Sequence, residues 1–300
     1  MTLLVVGSVA FDTIETPFGK ADRVLGGSAT FFAYAASYFT KQRLVGIVGA
    51  DFPREILTEL QERGVDISGL TVDAHGKTFH WTGRYEGDMN AAQTLGVSLN
   101  VLGEYKAAVP EGFRDSPYVF LANDHPKTQL DVLASVRGNP LSVADTRDFW
   151  ISEEPELLAE LLRRVDGLVL NEHEARLLTG TSNLVKAGRD VLARGPEWAV
   201  IKKGEHGALL FSSEGTFAIP ACPLEVVRDP TGAGDAFAGG LMGYLASSGK
   251  RSLEAVRRGL TYGTVTASVA VEDFSVEPFR KVTKEQLNDR HDAFLKAIRF

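Results

Sequence analysis

Residues 229–240 read DPTGAGDAFAGG and place two carboxylates, a threonine, a proline and four glycines within twelve positions. From Gly232, Ala233 and Gly234 onward, Ala236, Phe237, Gly240, Leu241 and Tyr244 recur at three- and four-residue spacing, which predicts the start of a helix. The first amides of a helix have no internal partners and point outward. The helix dipole adds positive potential there, and glycine lets a ligand approach the bare backbone. Such a turn suits an anion, phosphate above all. Asp235 lies inside it and would repel a bound phosphate. The conflict disappears if Asp235 faces the group that attacks the phosphate. It would then orient an alcohol and accept its proton while the amides hold the transferring group. Phosphoryl transfer needs mainly positioning and charge stabilisation, so a modest base suffices. Two other phosphate motifs do not match. A dinucleotide fingerprint, GxGxxG, follows the first strand, whereas this loop comes late and reads GAGDAF. A Walker A loop fails as well, because the only GKT (Gly76-Lys77-Thr78) has Thr71 where that loop needs its first glycine.

The elements that would carry this turn alternate between strand and helix. Thr2–Val9 is an apolar run ending at Gly7-Ser8, read as a strand buried on both faces. Gly26-Gly27 precede a helical pattern of Ala29, Phe32, Ala33, Ala36 and Phe39. Arg43–Val48 is strand-like; Asp51 then caps a helix with Pro53 in its first turn and Gly64 as its stop. Tyr118–Ala122, Leu141–Asp145, Gly167–Leu170 and Trp198–Lys202 read as strands, with helical patterns such as PELLAELLRRV and EARLLTG between them. GALLF and GTFAI form a hairpin about Ser212–Gly215, and helices fill 232–247, 252–270 and 284–299. This rhythm predicts an α/β fold, a mostly parallel sheet with helices on both faces. Residues 69–105 interrupt it. There KTFHWTGRY alternates, with Phe79, Trp81 and Tyr85 on one side and Thr78, His80, Thr82 and Arg84 on the other, as in a half-buried antiparallel strand. No repeat or linker divides the chain, so 1–300 is read as one domain.

Composition narrows the function. With 300 residues, 44% of them hydrophobic, the chain can bury a large core. A formal net charge of -7 argues against nucleic acid or an anionic membrane as partner. The single cysteine, Cys222, excludes an intrachain disulfide and fits a reducing cytoplasm. The first residues lack the basic stretch of a signal peptide, and no apolar run reaches the ~18 residues of a membrane span. A cytoplasmic enzyme is expected. The six histidines show no zinc-site spacing with one another or with Cys222.

Together GSVAFDTI (7–14), GGSA (26–29), NEHE (171–174), KKGEHGALL (202–210) and DPTGAGDAFAGG resemble the ribokinase, or PfkB, family of carbohydrate and nucleoside kinases, along nearly the whole chain. The resemblance implies a ribokinase-like three-layer sandwich with a small β lid, here from about 13–24 and 75–104. It implies ATP and Mg²⁺ as cofactors. By position, Asp235 resembles the family's base and Gly232, Ala233, Gly234 and Asp235 its anion hole. Asn171 and Glu174 match the NxxE motif that organises Mg²⁺, through water, and the nucleotide phosphates. Gly204 and Gly207 resemble the turn beside the ATP phosphates and ribose. Lys203 would either offset phosphate charge there or form a solvated strand end. Asp229 and Thr231 fall where many members bind a monovalent cation such as K⁺. Asp12 resembles the aspartate that holds sugar hydroxyls, with Gly26 and Gly27 letting a helix end approach the sugar. Lids in this family often pair between subunits, which implies a homodimer.

The sequence also departs from that pattern. Many relatives read GGxxxN, but position 31 is Phe31, and Asp145-Thr146-Arg147 replaces a common DPN. Losing an amide and gaining a ring makes the substrate side more apolar. With Phe11, Phe79 and Trp81 nearby, an aromatic aglycone such as a nucleobase fits. The reading is an ATP-dependent kinase of a hydroxymethyl group on a sugar or sugar-containing molecule, with a nucleoside kinase as the alternative. A non-catalytic sugar or nucleotide sensor on the same fold is the rival from another class.

Overall fold

The computed structural model describes residues 2–299, so Met1 and Phe300 of the expected 1–300 domain lie outside the described residues. The strands are β1 (Leu3–Val6), β2 (Ala10–Thr16), β3 (Gly19–Gly26), β4 (Gln42–Gly49), β5 (Val65–Asp73), β6 (Phe79–Tyr85), β7 (Ala92–Ser98), β8 (Tyr118–Leu121), β9 (Leu141–Asp145), β10 (Gly167–Asn171), β11 (Trp198–Lys202), β12 (Ala208–Ser212) and β13 (Gly215–Ile219). The helices are α1 (Ser28–Ala36), α2 (Arg54–Glu62), α3 (Pro126–Ser135), α4 (Asp148–Glu153), α5 (Pro155–Leu162), α6 (Glu172–Thr179), α7 (Leu184–Leu192), α8 (Ala233–Ser248), α9 (Leu253–Ala270), α10 (Glu277–Lys281) and α11 (Lys284–Ala297).

Nine strands form the large sheet, in the order β13-β12-β11-β10-β9-β8-β1-β4-β5. It is parallel from β5 to β11, and the expected hairpin of β12 and β13 adds two antiparallel strands at the edge. Alternate residues of one strand feed cores on opposite faces: Leu3 and Val5 join the cluster under α1, α8 and α9, whereas Leu4 and Val6 join the one under α5 and α7. The chain runs outward from β1 to β4 and β5, then returns to the other side of β1 at β8. Strand order therefore reverses between β1 and β8. In parallel sheets a ligand crevice opens at such a switch point, outside the carboxyl ends of the strands.

A separate four-stranded sheet, β3-β2-β6-β7, continues from β1. Its strands cover Ala10–Gly26 and Phe79–Ser98, close to the expected segments. β6 is half-buried, as its alternation requires, but only its β7 neighbour is antiparallel; it pairs with β2 in parallel. Alternation reports burial and says nothing of which strand lies alongside. Two more expectations change. Asp51 does not cap α2, which starts at Pro53 without a side-chain cap; its Oδ1 accepts from Thr78 N at 2.8 Å and from Thr78 Oγ1 at 2.7 Å, tying the two sheets together. Val65–Asp73, unassigned from sequence, is the edge strand β5, whose alternation is broken by a register shift against β4.

Helix α8 lies between α1 and α9, and its glycines let it do so. A Cβ on Gly239 would come within 2.5 Å of Phe32 O, and one on Gly240 within 2.2 Å of Thr266 Oγ1. Thr266 Oγ1 itself donates to Ala236 O at 2.8 Å, pinning the first turn of α8 to α9. Gly240→Ala is expected to overpack this contact and cost about 1–3 kcal/mol. Urea unfolding checks it: the midpoint should fall with an unchanged slope, and an unmoved midpoint would contradict the close approach.

Candidate active site

The 229–235 turn forms as its sequence demands. Gly232 is the N-cap of α8 in the left-handed region, φ 74°, and a Cβ there would lie 2.2 Å from the Phe31 ring. Phe31 is buried beneath this turn and supports it. Ala233 N donates to Pro230 O at 3.2 Å and Ala236 N to Gly232 O at 2.8 Å, which leaves the amides of Gly232, Gly234 and Asp235 without a backbone acceptor. Asp229 is buried; its Oδ1 accepts from Thr231 N at 2.9 Å and its Oδ2 from Ser275 N at 3.4 Å. Thr231 Oγ1 is buried close to the Asp229 carboxylate and the Tyr85 hydroxyl. Burial pushes the Asp235 carboxyl well above the usual range, and Asp145, Asp12 and Glu174 add to this against the pull of Lys202.

Asp12 lies on β2, just past the end of β1, and is buried. Burial, with the charge of Asp229, raises its pKa to about 7, against the Gly27 amide. Gly26 is required beside it: a Cβ there would lie 1.9 Å from Asp12 Oδ2. In register Asp12 faces Trp81 of β6, so Phe79, Trp81 and Tyr85 share its face of the small sheet. Tyr85 reaches furthest in. Burial raises its pKa, and Asp229, Asp12 and Asp235 raise it further. Sequence had assigned Tyr85 to an aromatic face without a site role; only the tertiary pairing brings it to the carboxylates.

On the other side of α8 stand Asn171 and Glu174. They form a capping box on α6, with Asn171 Oδ1 accepting from Glu174 N at 2.9 Å and Glu174 Oε2 from Asn171 N at 2.7 Å. Glu174 is buried, which lifts its pKa to about 8, with Asp145 adding and Lys202 opposing. Lys202 Nζ lies 3.3 Å from Asp145 Oδ2. Burial works against its charge, but Asp145, Glu174 and Asp235 outweigh it and hold its pKa above the ordinary value. The ammonium among these acids is thus that of Lys202; Lys203 N donates to Gly207 O at 2.7 Å in the neighbouring turn. Gly204 and Gly207 are both at positive φ in that turn, and Gly204 lies under Asn90 of the β6–β7 hairpin, whose Oδ1 would be 2.7 Å from an added Cβ. Among the described residues, no group of three or more His, Cys, Asp or Glu side chains is arranged to hold a metal directly. The acids present suit a hard cation bound through water. No helix of the described residues is long and apolar enough to cross a membrane.

The switch point, the glycine-capped start of α8 and the buried carboxylates around it lie together on a ribokinase-like fold. Comparison with known proteins agrees. The pattern of the pfkB family of carbohydrate kinases matches residues 129–277. The chain is 35% identical over 271 residues to the cytidine kinase of Thermococcus kodakarensis, covering 87% of this chain and 94% of that one. Among solved structures, the nucleoside kinase of Methanocaldococcus jannaschii matches with a TM-score of 0.80 at 22% identity, over 97% of this chain and 98% of that one. The Burkholderia thailandensis nucleoside kinase in complex with inosine matches with a TM-score of 0.79 at 20% identity, over 97% of each chain. The chain belongs to the pfkB family of carbohydrate kinases. It is an ATP-dependent carbohydrate or nucleoside kinase.

The raised pKa of Asp12 has a consequence for stability. Its folded value of about 7 exceeds an unfolded value near ~3.9, so folding takes up a proton. The contribution is fully present below the unfolded pKa and is lost as pH rises through the folded one. Stability should therefore fall between about pH 4 and about pH 7, and Asp12→Asn should flatten that fall. Urea unfolding of both proteins across this range checks it; parallel slopes would contradict the raised value.

Proposed function

We propose that the acceptor is a nucleoside, a pyrimidine nucleoside such as cytidine, phosphorylated on the hydroxymethyl group of its sugar. The observation that carries this is the 35% identity, along most of both chains, to a cytidine kinase. The face of the small sheet supports it: Asp12 offers a carboxylate to sugar hydroxyls, while Trp81 and Phe79 beside it offer flat apolar surface to a base. Phe31 would shape the sugar end of the site from beneath, and Gly26 and Gly27 would let the start of α1 approach the sugar.

In this reading Asp235 takes the proton of the acceptor hydroxyl. The new bond forms between that oxygen and the γ-phosphorus of ATP. The bond from the γ-phosphorus to the β,γ-bridging oxygen breaks, and its electron pair leaves with ADP. The amides of the 232–235 turn hold the transferring group, each donor contributing on the order of 10²–10³ in rate. Gly204, Gly207 and Lys203 would line the nucleotide side. Asn171 and Glu174 would hold, through water, an Mg²⁺ that would offset the charge of the ATP phosphates. Asp229 and Thr231 would hold a monovalent cation such as K⁺. The small sheet would act as a lid on a single kinase domain. Phe18, Leu95 and Val97 expose apolar surface on it, which supports a homodimer through the lid.

Two measurements test this. Asp235→Asn should lower turnover by at least about 10³ while ATP affinity stays within a few-fold, because the amide keeps the shape and loses the base; substantial residual turnover would remove the assigned role. In an ADP-release assay with ATP and Mg²⁺, pyrimidine nucleosides should show the highest kcat/KM. A panel led by free ribose, hexoses or sugar acids would overturn the nucleoside assignment and leave the kinase intact.

A further inference from the structure

Lys202 is the last residue of β11 and pairs in register with Asn171 of β10. Its side chain is 17% exposed and its Nζ is held by Asp145. A lysine that served only to balance Asp145 could approach that carboxylate from any side. This one lies against the first turn of α8. A Cβ on Gly234 would be 2.8 Å from Lys202 Nζ, so the ammonium occupies the space that the missing side chain leaves open. Gly234 and Asp235 carry amides without a backbone acceptor. Glu174 of α6 and Asp235 of α8 both act on the same ammonium. A positive charge is thus fixed beside the two amides that the proposed reaction uses, at the one glycine of that turn whose substitution would displace it.

We propose that Lys202 is a further catalytic residue, its ammonium, anchored by Asp145, contacting the transferring phosphoryl group beside the Gly234 and Asp235 amides and neutralising the charge that builds there. The inference rests on the reading of 232–235 as the anion site. Lys202 forms no covalent bond and gives up no proton. The bonds made and broken are those of the transfer itself, and the ammonium adds a preorganised charge in a site shielded from water. Asp145 acts through Lys202 and is a positioning residue. Nζ is a point charge on a flexible stem, and without Asp145 its place at Gly234 would not be fixed.

Lys202→Met keeps the length of the side chain and removes the charge. It should lower kcat on the order of 10², with the acceptor KM and the affinity for ADP changed less than about threefold. The affinity for ADP with aluminium fluoride, which mimics the transferring group, should fall in step with kcat. A merely structural lysine would lower ADP and ADP–aluminium fluoride affinity alike. Gly234→Ala covers the case in which Lys202→Met fails to fold, since alanine favours a helix at this position and its methyl meets the end of a flexible side chain. It should fold, lower kcat at least about tenfold, and cost little more when added to Lys202→Met, because both changes act on one charge. Lys202→Met that keeps more than about a third of kcat, or Gly234→Ala with the same loss in both backgrounds, would overturn the proposal. Asp235→Asn measured in parallel separates the two readings. If it is inactive while Lys202→Met is active, only the role of Lys202 falls; if it is active while Lys202→Met is not, the base role of Asp235 falls and that of Lys202 stands.

Discussion

Asp12, Asp145, Glu174, Asp229 and Asp235 are gathered at the carboxyl ends of β1, β9 and β10 and around the N-terminus of α8, and Lys202 is the ammonium set among them. Like charges this close and this buried cannot all be ionised in water's absence. The raised pKa values of Asp12, Glu174 and Asp235 express that conflict. A site of this kind is costly when empty and is relieved by cations and by hydrogen-bond donors. In the proposed reaction, Mg²⁺-ATP and a polyhydroxylated acceptor would bring both. The stability of the chain is therefore spent where its chemistry is done.

The rest of the fold serves to hold this cluster together. β9 delivers Asp145, β10 delivers Asn171 and, in the first turn of α6, Glu174, and β11 delivers Lys202, all at one edge because these strands are parallel, while Asp12 follows β1 at the start of the small sheet. α8 enters from the opposite face and aims its first turn at them, gripped through Gly239 and Gly240 and pinned by Thr266. The small sheet closes the arrangement from above. Tyr85 reaches Asp12, Asp229 and Asp235 from one end of β6, while Asn90 in the following hairpin meets Gly204 in the turn after β11. One small element thus touches both halves of the site.

The parts of this that depend on local chemistry could be read from the sequence. The glycine turn announces the start of α8 by its own composition, and the glycines after the first strands announce a close approach, which Gly26 makes to Asp12. The strand-helix alternation is a local period and gives the layered sheet. What could not be read depends on residues far apart in the chain. Lys202 and Lys203 are indistinguishable neighbours until the strand shows which side chain turns toward Asp145. Tyr85 looks like one member of an aromatic face until β6 is paired with β2. The parallel partner of β6 leaves no trace in its alternation, and the register shift in β5 disguises a strand as a loop. Asp51, followed closely by Pro53, has the form of a helix start, and only the distant Thr78 reveals that its oxygens are used elsewhere.

The central claim is that buried carboxylates crowd around one lysine. Carbon-13 NMR of the aspartate carboxyl groups against pH tests it most directly. The account predicts at least one aspartate titrating at about 7, lost in Asp12→Asn. Aspartates that all titrate below about 5, as ordinary exposed carboxylates do, would contradict it.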